Sequence, residues 1–254
     1  MTLSLADQIV LVSGAGRGFG AAIAATFARE GARVAINYRS SAEAAEALAR
    51  RIGPRAMAVQ ADIRQPEDVA RTVHEVRAHF GPPTTLIHNA LADFSFNGDA
   101  RAHIDTLAAE DLRAQFDTAV TGALTLIRAV RPGMRDAGFG RIITIGTNLV
   151  QNPVVPYHDY TAAKAALLGF TRTAAAELGP EGITVNMVSG GLLRTTDASA
   201  ATPEAVFDLI AASTPLRRVT TPEEAADAVL FFASPWARAV TGQNLIVDGG
   251  LVFG

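Results

Sequence analysis

Short runs of consecutive apolar residues alternate along this chain with longer stretches in which apolar residues recur every three or four positions. The short runs fall at residues 9–12, 33–36, 56–59, 84–87, 141–145, 183–188 and 245–247. Most are uninterrupted rather than alternating, the pattern of parallel strands covered on both faces. Helical spacing fills the gaps. After Pro66, the residues Val69, Val73, Val76 and Phe80 recur at helical intervals, and Gly81 ends the run. Leu112, Phe116, Val120, Leu124 and Ile127 mark a long helix; Leu167, Phe170, Ala174 and Leu178 mark another, closed by Gly179-Pro180. Thr202-Pro203-Glu204 and Thr221-Pro222-Glu223 each read as an N-cap followed by Pro at the first helical position. Strand–helix alternation from end to end predicts an α/β fold. It is a single domain over residues 1–254, a doubly wound parallel sheet of seven strands with helices on both faces and right-handed crossovers. The Ala/Thr/Ser-rich stretch 195–202 reads as a mobile loop.

Composition narrows the function classes. The 254 residues are 49% hydrophobic, enough for a substantial core. The formal net charge is -3, from 22 basic and 25 acidic side chains, with no block of like charge. No nucleic-acid or membrane-surface partner is expected from such a balance. The absence of Cys excludes disulfides, thiolate catalysis and thiolate metal sites, and no metal site is expected. The first residues do not form a signal-peptide pattern, and no apolar stretch approaches the roughly 18 residues that span a bilayer. A soluble, cytoplasmic protein is the expectation.

The first strand runs into Ser13-Gly14-Ala15-Gly16-Arg17-Gly18-Phe19-Gly20, and Ala21-Ala22-Ile23 then opens a helix. Glycines at this place let a backbone approach a pyrophosphate seated on the helix N-terminus, as in Rossmann-like dinucleotide folds. Where NAD-binding folds carry an acidic residue after the second strand, this chain has Asn37-Tyr38-Arg39-Ser40-Ser41. No carboxylate stands there to repel a 2′-phosphate. Arg39 can pair with one and Arg17 adds a second positive charge, so NADP(H) is the expected cofactor. Further on, Tyr160 and Lys164 lie four apart on one predicted helix face, with Thr147 upstream. Alone, such a pair is an exposed helix contact more often than a site.

Glycine turn, Tyr-x-x-x-Lys and upstream hydroxyl together resemble the short-chain dehydrogenase/reductase family, over essentially the whole chain. The family's T-G-x-x-x-G-x-G is similar to Ser13, Gly14, Gly18 and Gly20. Its N-N-A-G is similar to His88-Asn89-Ala90-Leu91, and its terminal V-D-G-G to Val247-Asp248-Gly249-Gly250. Within the family the look is closest to 3-oxoacyl-[acyl-carrier-protein] reductases, through the segments 140–146, 162–171 and 182–186. The resemblance implies Thr147, Tyr160 and Lys164 as catalytic residues. It implies cofactor contacts from Gly14, Gly16, Arg17, Gly18, Phe19 and Gly20 in the turn, and from Arg39 and Ser40 after the second strand. Further contacts would come from Asp62, Ile63, Asn89, Ala90, Tyr160, Lys164, Gly190, Gly191, Leu193 and Thr195. It also implies a homotetramer built through the long helix and the Tyr160 helix.

In such a site an ammonium beside the phenol lowers its pKa, and the phenol protonates the alkoxide formed on a small-molecule or acyl-carrier-linked ketone. The Thr147 hydroxyl holds and polarises the carbonyl oxygen. Departures from the family leave alternatives open. Leu91 replaces a glycine, His88 an asparagine and Gly190 a proline, and the fourth catalytic position, an Asn in the family, falls on Ala119. The chain is several residues longer than the common pattern in 94–100, near the substrate entrance. Substrate-pocket residues are expected from the segments 91–100, 149–157 and 192–212. Counted from Tyr157, the spacing to Lys164 is similar to that of enoyl reductases. A nucleotide-binding regulator without turnover is a further alternative.

Overall fold

The computed structural model describes residues 2–94, 96 and 101–253. The apolar runs form strands β1 (Ile9–Val12), β2 (Arg33–Tyr38), β3 (Ala56–Gln60), β4 (Thr85–His88), β5 (Gly140–Thr147), β6 (Ile183–Gly190) and β7 (Asn244–Val247). All pair in parallel in one seven-stranded sheet of order β3-β2-β1-β4-β5-β6-β7. Helices cover both faces, which is why the strands lack polar alternation. On one side α1 (Gly18–Arg29), α2 (Ala42–Ile52) and α8 (Pro222–Ala233) pack Phe27, Leu48 and Phe232 over Val10, Val12 and Ile36. On the other, α3 (Pro66–His79), α5 (Gly122–Ala137) and α6 (His158–Leu178) pack Val76, Leu126 and Leu178 over Leu11, Leu86 and Ile142. Consecutive residues of β1 therefore serve opposite cores.

The long helix departs from its predicted stripe. It is α4 (Ala109–Phe116), a π turn at Asp117–Thr121, and α5. Leu112 and Phe116 are exposed, at 37% and 45%, whereas Gln115 and Ala119 are buried and Ile127 is in the core. A helix of constant pitch would keep the five apolar residues on one face. The π turn, with its longer repeat, shifts the phase between the two halves.

One cap expectation also changes. Thr221 caps α8 as predicted, with its hydroxyl accepting from Glu224 N and the Glu224 carboxylate accepting from Thr221 N. Thr202 does not cap the last remaining helix, α7 (Glu204–Ser213). Pro203 takes the N-cap position, and the Thr202 hydroxyl donates to the Phe96 carbonyl instead. Within the stretch 195–202, Ser199 is buried, donates to Leu193 O at 2.8 Å and accepts from Thr196 N at 2.8 Å.

Connections leave the sheet in opposite directions from β1 and β4, opening a crevice at their carboxyl ends. Gly20 brings α1 against that edge. A methyl there would stand 2.4 Å from Gly14 O and 2.5 Å from Asn89 Nδ2. Backbone cannot yield that distance cheaply, so Gly20→Ala should destabilise by about 1–3 kcal/mol. A thermal melt checks this; an unchanged Tm would show that the turn can shift.

Candidate active site

The crevice is a cavity of about 660 Å³, and it gathers most of the residues singled out from the sequence. Gly14, Arg17, Gly18, Phe19 and Gly20 line it from the first turn, and Arg39 and Ser40 from the end of β2. Asp62 and Ile63 follow β3, Asn89, Ala90 and Leu91 follow β4, and Gly190, Gly191 and Leu193 follow β6. Tyr160 and Lys164 reach it from α6. Gly16 is not on the wall. It is buried, and a Cβ there would lie 2.2 Å from Ser41 Oγ. The wall carries Thr196; Thr195 is exposed and does not line it.

The glycine turn is shaped for a close neighbour. Gly14 has φ +62°, and a Cβ on it would stand 2.8 Å from Ala90 Cα. A residue with a side chain would close the crevice between β1 and β4 at its base. The buried Asn37 side chain fixes the same turn: its Oδ1 accepts from Gly14 N, and its Nδ2 donates to Ala61 O at 3.2 Å. This bare backbone cradle, beside the N-terminus of α1, fits the pyrophosphate of a dinucleotide.

Ser13 and His88 lock the centre. Ser13 Oγ accepts from Asn89 N and Ala90 N, both at 3.1 Å. Its one proton is therefore left for His88 Nδ1 at 3.3 Å. His88 Nε2–H then donates to Ala119 O at 2.9 Å, within the π turn. Burial, with the Lys164 charge adding to it, pushes the His88 pKa down to about 3, so the ring is neutral. The sequence marks His88 as a departure and, with Thr118 and Thr121, as a candidate anchor for a proton-relay chain in place of the family Asn that Ala119 replaces. Both its nitrogens are committed, which rules it out as a free relay group in this arrangement. Thr118 lines the cavity, but its hydroxyl donates to Ala114 O at 3.1 Å.

The Tyr160–Lys164 pair differs from expectation in its electrostatics. Lys164 Nζ lies 5.7 Å from the Tyr160 ring centre and donates to Ile145 O at 2.6 Å. Burial lowers its pKa to about 8. Burial also raises the Tyr160 pKa to about 12, against a hydrogen bond to Thr147 that lowers it. The anticipated lowering of Tyr160 by Lys164 does not appear: desolvation dominates and raises the pKa, and the ammonium is turned onto a strand carbonyl. Tyr160 is consequently protonated at neutral pH. Thr147 is itself buried at the end of β5, at the N-cap of a short turn, with its hydroxyl accepting from Leu149 N.

Arginines at the far end are paired. Arg39 reaches both carboxylate oxygens of Asp93 at 3.3 Å, and Arg17 lies 3.6 Å from Asp197. Asp93 is 89% exposed, so its pair is a weak surface one. The Asp62 carboxylate is held by Arg64, which keeps it below the usual carboxylate range. Of the segment expected to be longer than usual, Ser95 and residues 97–100 lie outside the described residues. Phe94 and Phe96 line the cavity beside Tyr160. Tyr157, from the 149–157 segment, is buried against these two rings.

The family described as Enoyl-(Acyl carrier protein) reductase matches residues 14–252. A 3-oxoacyl-[acyl-carrier-protein] reductase from Synechocystis sp. is 36% identical over 98% of this chain and 99% of its own length. Versicolorin reductase 1 from Aspergillus parasiticus is 35% identical over 97% of each chain. Among solved structures, a dehydrogenase/reductase from Sinorhizobium meliloti matches with a TM-score of 0.86 at 32% identity, covering 99% of this chain and 97% of the other.

Burial of Lys164 fixes a pH dependence of stability. Its pKa of about 8 lies below the ordinary 10.5, so the unfolded chain holds this proton more tightly than the native one. Below about pH 8 the buried charge costs stability in full, and between about 8 and 10.5 the native state gains stability as pH rises. Lys164→Met keeps the length and removes the charge. It should stabilise the protein near neutral pH by up to about 3 kcal/mol, with the gain shrinking through that alkaline window. Denaturant titrations at neutral and alkaline pH check this. A loss of stability at neutral pH would show that the bond to Ile145 outweighs desolvation.

Proposed function

The chain belongs to the short-chain dehydrogenase/reductase family, oxidoreductases that use a nicotinamide cofactor, and from that premise we propose an NADP(H)-dependent reductase of ketones to secondary alcohols. Its substrate is of the 3-oxoacyl thioester type, as the name of the Synechocystis relative suggests. The whole chain acts as one catalytic domain. One observation carries the reading: Tyr160, protonated and hydrogen-bonded to Thr147, stands on the cavity wall with Lys164.

Each residue has a definable task. Bound nicotinamide supplies the reducing equivalent at the carbonyl carbon. The Thr147 hydroxyl orients the carbonyl oxygen, and Tyr160 Oη gives its proton to that oxygen as negative charge develops on it. The high Tyr160 pKa keeps the donor loaded. Lys164, held on the Ile145 carbonyl, keeps a positive charge on the same wall as the phenolate left behind. The bare backbone at Gly14 and the N-terminus of α1 would take the pyrophosphate, and Arg39 and Arg17 the 2′-phosphate. Arg39 must exchange Asp93 for that phosphate. An exposed pair is worth roughly 0–1 kcal/mol, less than the 1.5–3 kcal/mol of a charge-assisted bond. Exposed Leu112 and Phe116 on α4 support the homotetramer.

The name of the matching family favours a second reading, enoyl reduction, for which Tyr157 is the candidate donor. Tyrosine variants separate the two. Tyr160→Phe should abolish NADPH oxidation with β-ketoesters and leave NADPH affinity nearly intact, while Tyr157→Phe should be milder. An inactive Tyr157→Phe beside an active Tyr160→Phe would move enoyl reduction ahead. A protein that binds NADPH but oxidises it with no ketone or enoyl thioester would be a regulator.

Arg39→Ala should weaken NADPH binding about ten- to a hundredfold and NADH binding far less. Fluorescence titration with both cofactors checks this. Equal losses would make Arg39 a structural residue and leave the cofactor choice without its main support.

A further inference from the structure

Four aromatic rings meet at the substrate side of Tyr160. Phe94 lies 4.7 Å from the Tyr160 ring, centre to centre, and 5.2 Å from Tyr157. Phe96 lies 5.7 Å from Tyr160 and 6.0 Å from Tyr157. The two phenylalanines touch each other edge on at 5.1 Å. Tilted and edge-to-face contacts at these distances are the favoured arrangements of aromatic pairs. Phe94, Phe96 and Tyr160 line the cavity, so these three rings form part of its wall, with Tyr157 packed behind them.

The wall is anchored at both ends. The Arg101 guanidinium sits 4.3 Å over the Phe94 ring centre and is paired with Asp159, the residue before Tyr160. The Asp159 side chain is 5% exposed, so this pair is shielded from the screening that makes surface pairs weak. Phe96 N donates to Ala198 O at 3.0 Å, and its carbonyl accepts from the Thr202 hydroxyl at 3.2 Å. One anchor ties the phenylalanines to α6 and the other ties them to the turn after β6. A substrate carbonyl brought to Tyr160 must therefore place its adjoining substituent against ring faces and edges that are already held in position. A flat ring there replaces ring contacts with ring contacts. A flexible alkyl chain displaces them and returns only ordinary apolar contact.

We propose that Phe94 and Phe96 are specificity-determining residues, held by Arg101 as a positioning residue, and that they favour 3-oxo substrates whose substituent on the ketone carbon is a flat aryl ring over those with a linear chain. The inference rests on Tyr160 acting as the proton donor.

The test compares NADPH-dependent kcat/KM for ethyl benzoylacetate and ethyl 3-oxohexanoate. The wild type should prefer the aryl ester by about tenfold, the equivalent of one to two aromatic contacts. Phe94→Leu keeps apolar bulk but has no ring face, and should bring the ratio close to one. Arg101→Ala should raise KM for the aryl ester about tenfold and leave kcat within about twofold. The charge exchange Arg101→Asp with Asp159→Arg should recover part of that loss, whereas each single change should not. NADPH affinity, measured by fluorescence, should be unchanged in every variant, showing that the fold persists. Equal rates on the two esters, a preference for the linear one, or a preference surviving Phe94→Leu would overturn the proposal and leave ketone reduction standing. No reduction of either ester by the wild type, or reduction that survives Tyr160→Phe, would overturn the underlying reading and this inference with it.

Discussion

One hydroxyl ties the crevice together. The sheet opens between β1 and β4 because their connections leave in opposite directions, and the backbone at the mouth has amides with no strand to pair with. Ser13 Oγ accepts two of them, from Asn89 and Ala90, and passes its own proton to His88. His88 continues to Ala119 O. The glycine turn, the end of β4 and the π turn are joined by one chain of hydrogen bonds with fixed polarity. Its members depend on each other: buried amides would be orphaned without the hydroxyl, and the hydroxyl would have no acceptor if His88 carried a second proton.

Around that chain, desolvation sets the chemistry. It pushes Tyr160 and Lys164 each toward its uncharged form. The pair is not a preformed ion pair but a loaded phenol beside an ammonium parked on a strand carbonyl. Phe94 and Phe96 pack on Tyr160, and Lys164 is bonded to β5. Geometry that excludes water thus decides the protonation states, and the two residues on one helix face are necessary without being sufficient.

Much of this architecture was legible in the amino-acid sequence. Apolar runs located every strand, because strands covered on both faces need no polar side. Their ends were less visible: β5 and β6 extend through Gly146-Thr147 and Ser189-Gly190, whose pairing depends on the neighbouring strand rather than on hydrophobicity. Thr221 announced its helix, and Thr202 with the same Thr-Pro-Glu signature did not, because its hydroxyl is taken by Phe96, far away in the chain. Asp93 beside Arg39 and Arg101 beside Asp159 are likewise invisible to local reading, being 54 and 58 residues apart. The role of His88 needed the positions of Ser13 and Ala119 together.

The π turn at Asp117–Thr121 makes one helix belong to two regimes. Inward of it, α5 keeps the register its core neighbours demand, with Leu126, Val130 and Met134 inside. Outward of it, α4 is rotated out of phase and turns Leu112 and Phe116 to the surface. The longer repeat of the π turn rotates α4 relative to α5, so the two halves present different faces to the core. The carbonyl that anchors His88 lies inside that turn, so the same five residues that turn the outer helix also fix the polar chain at the crevice.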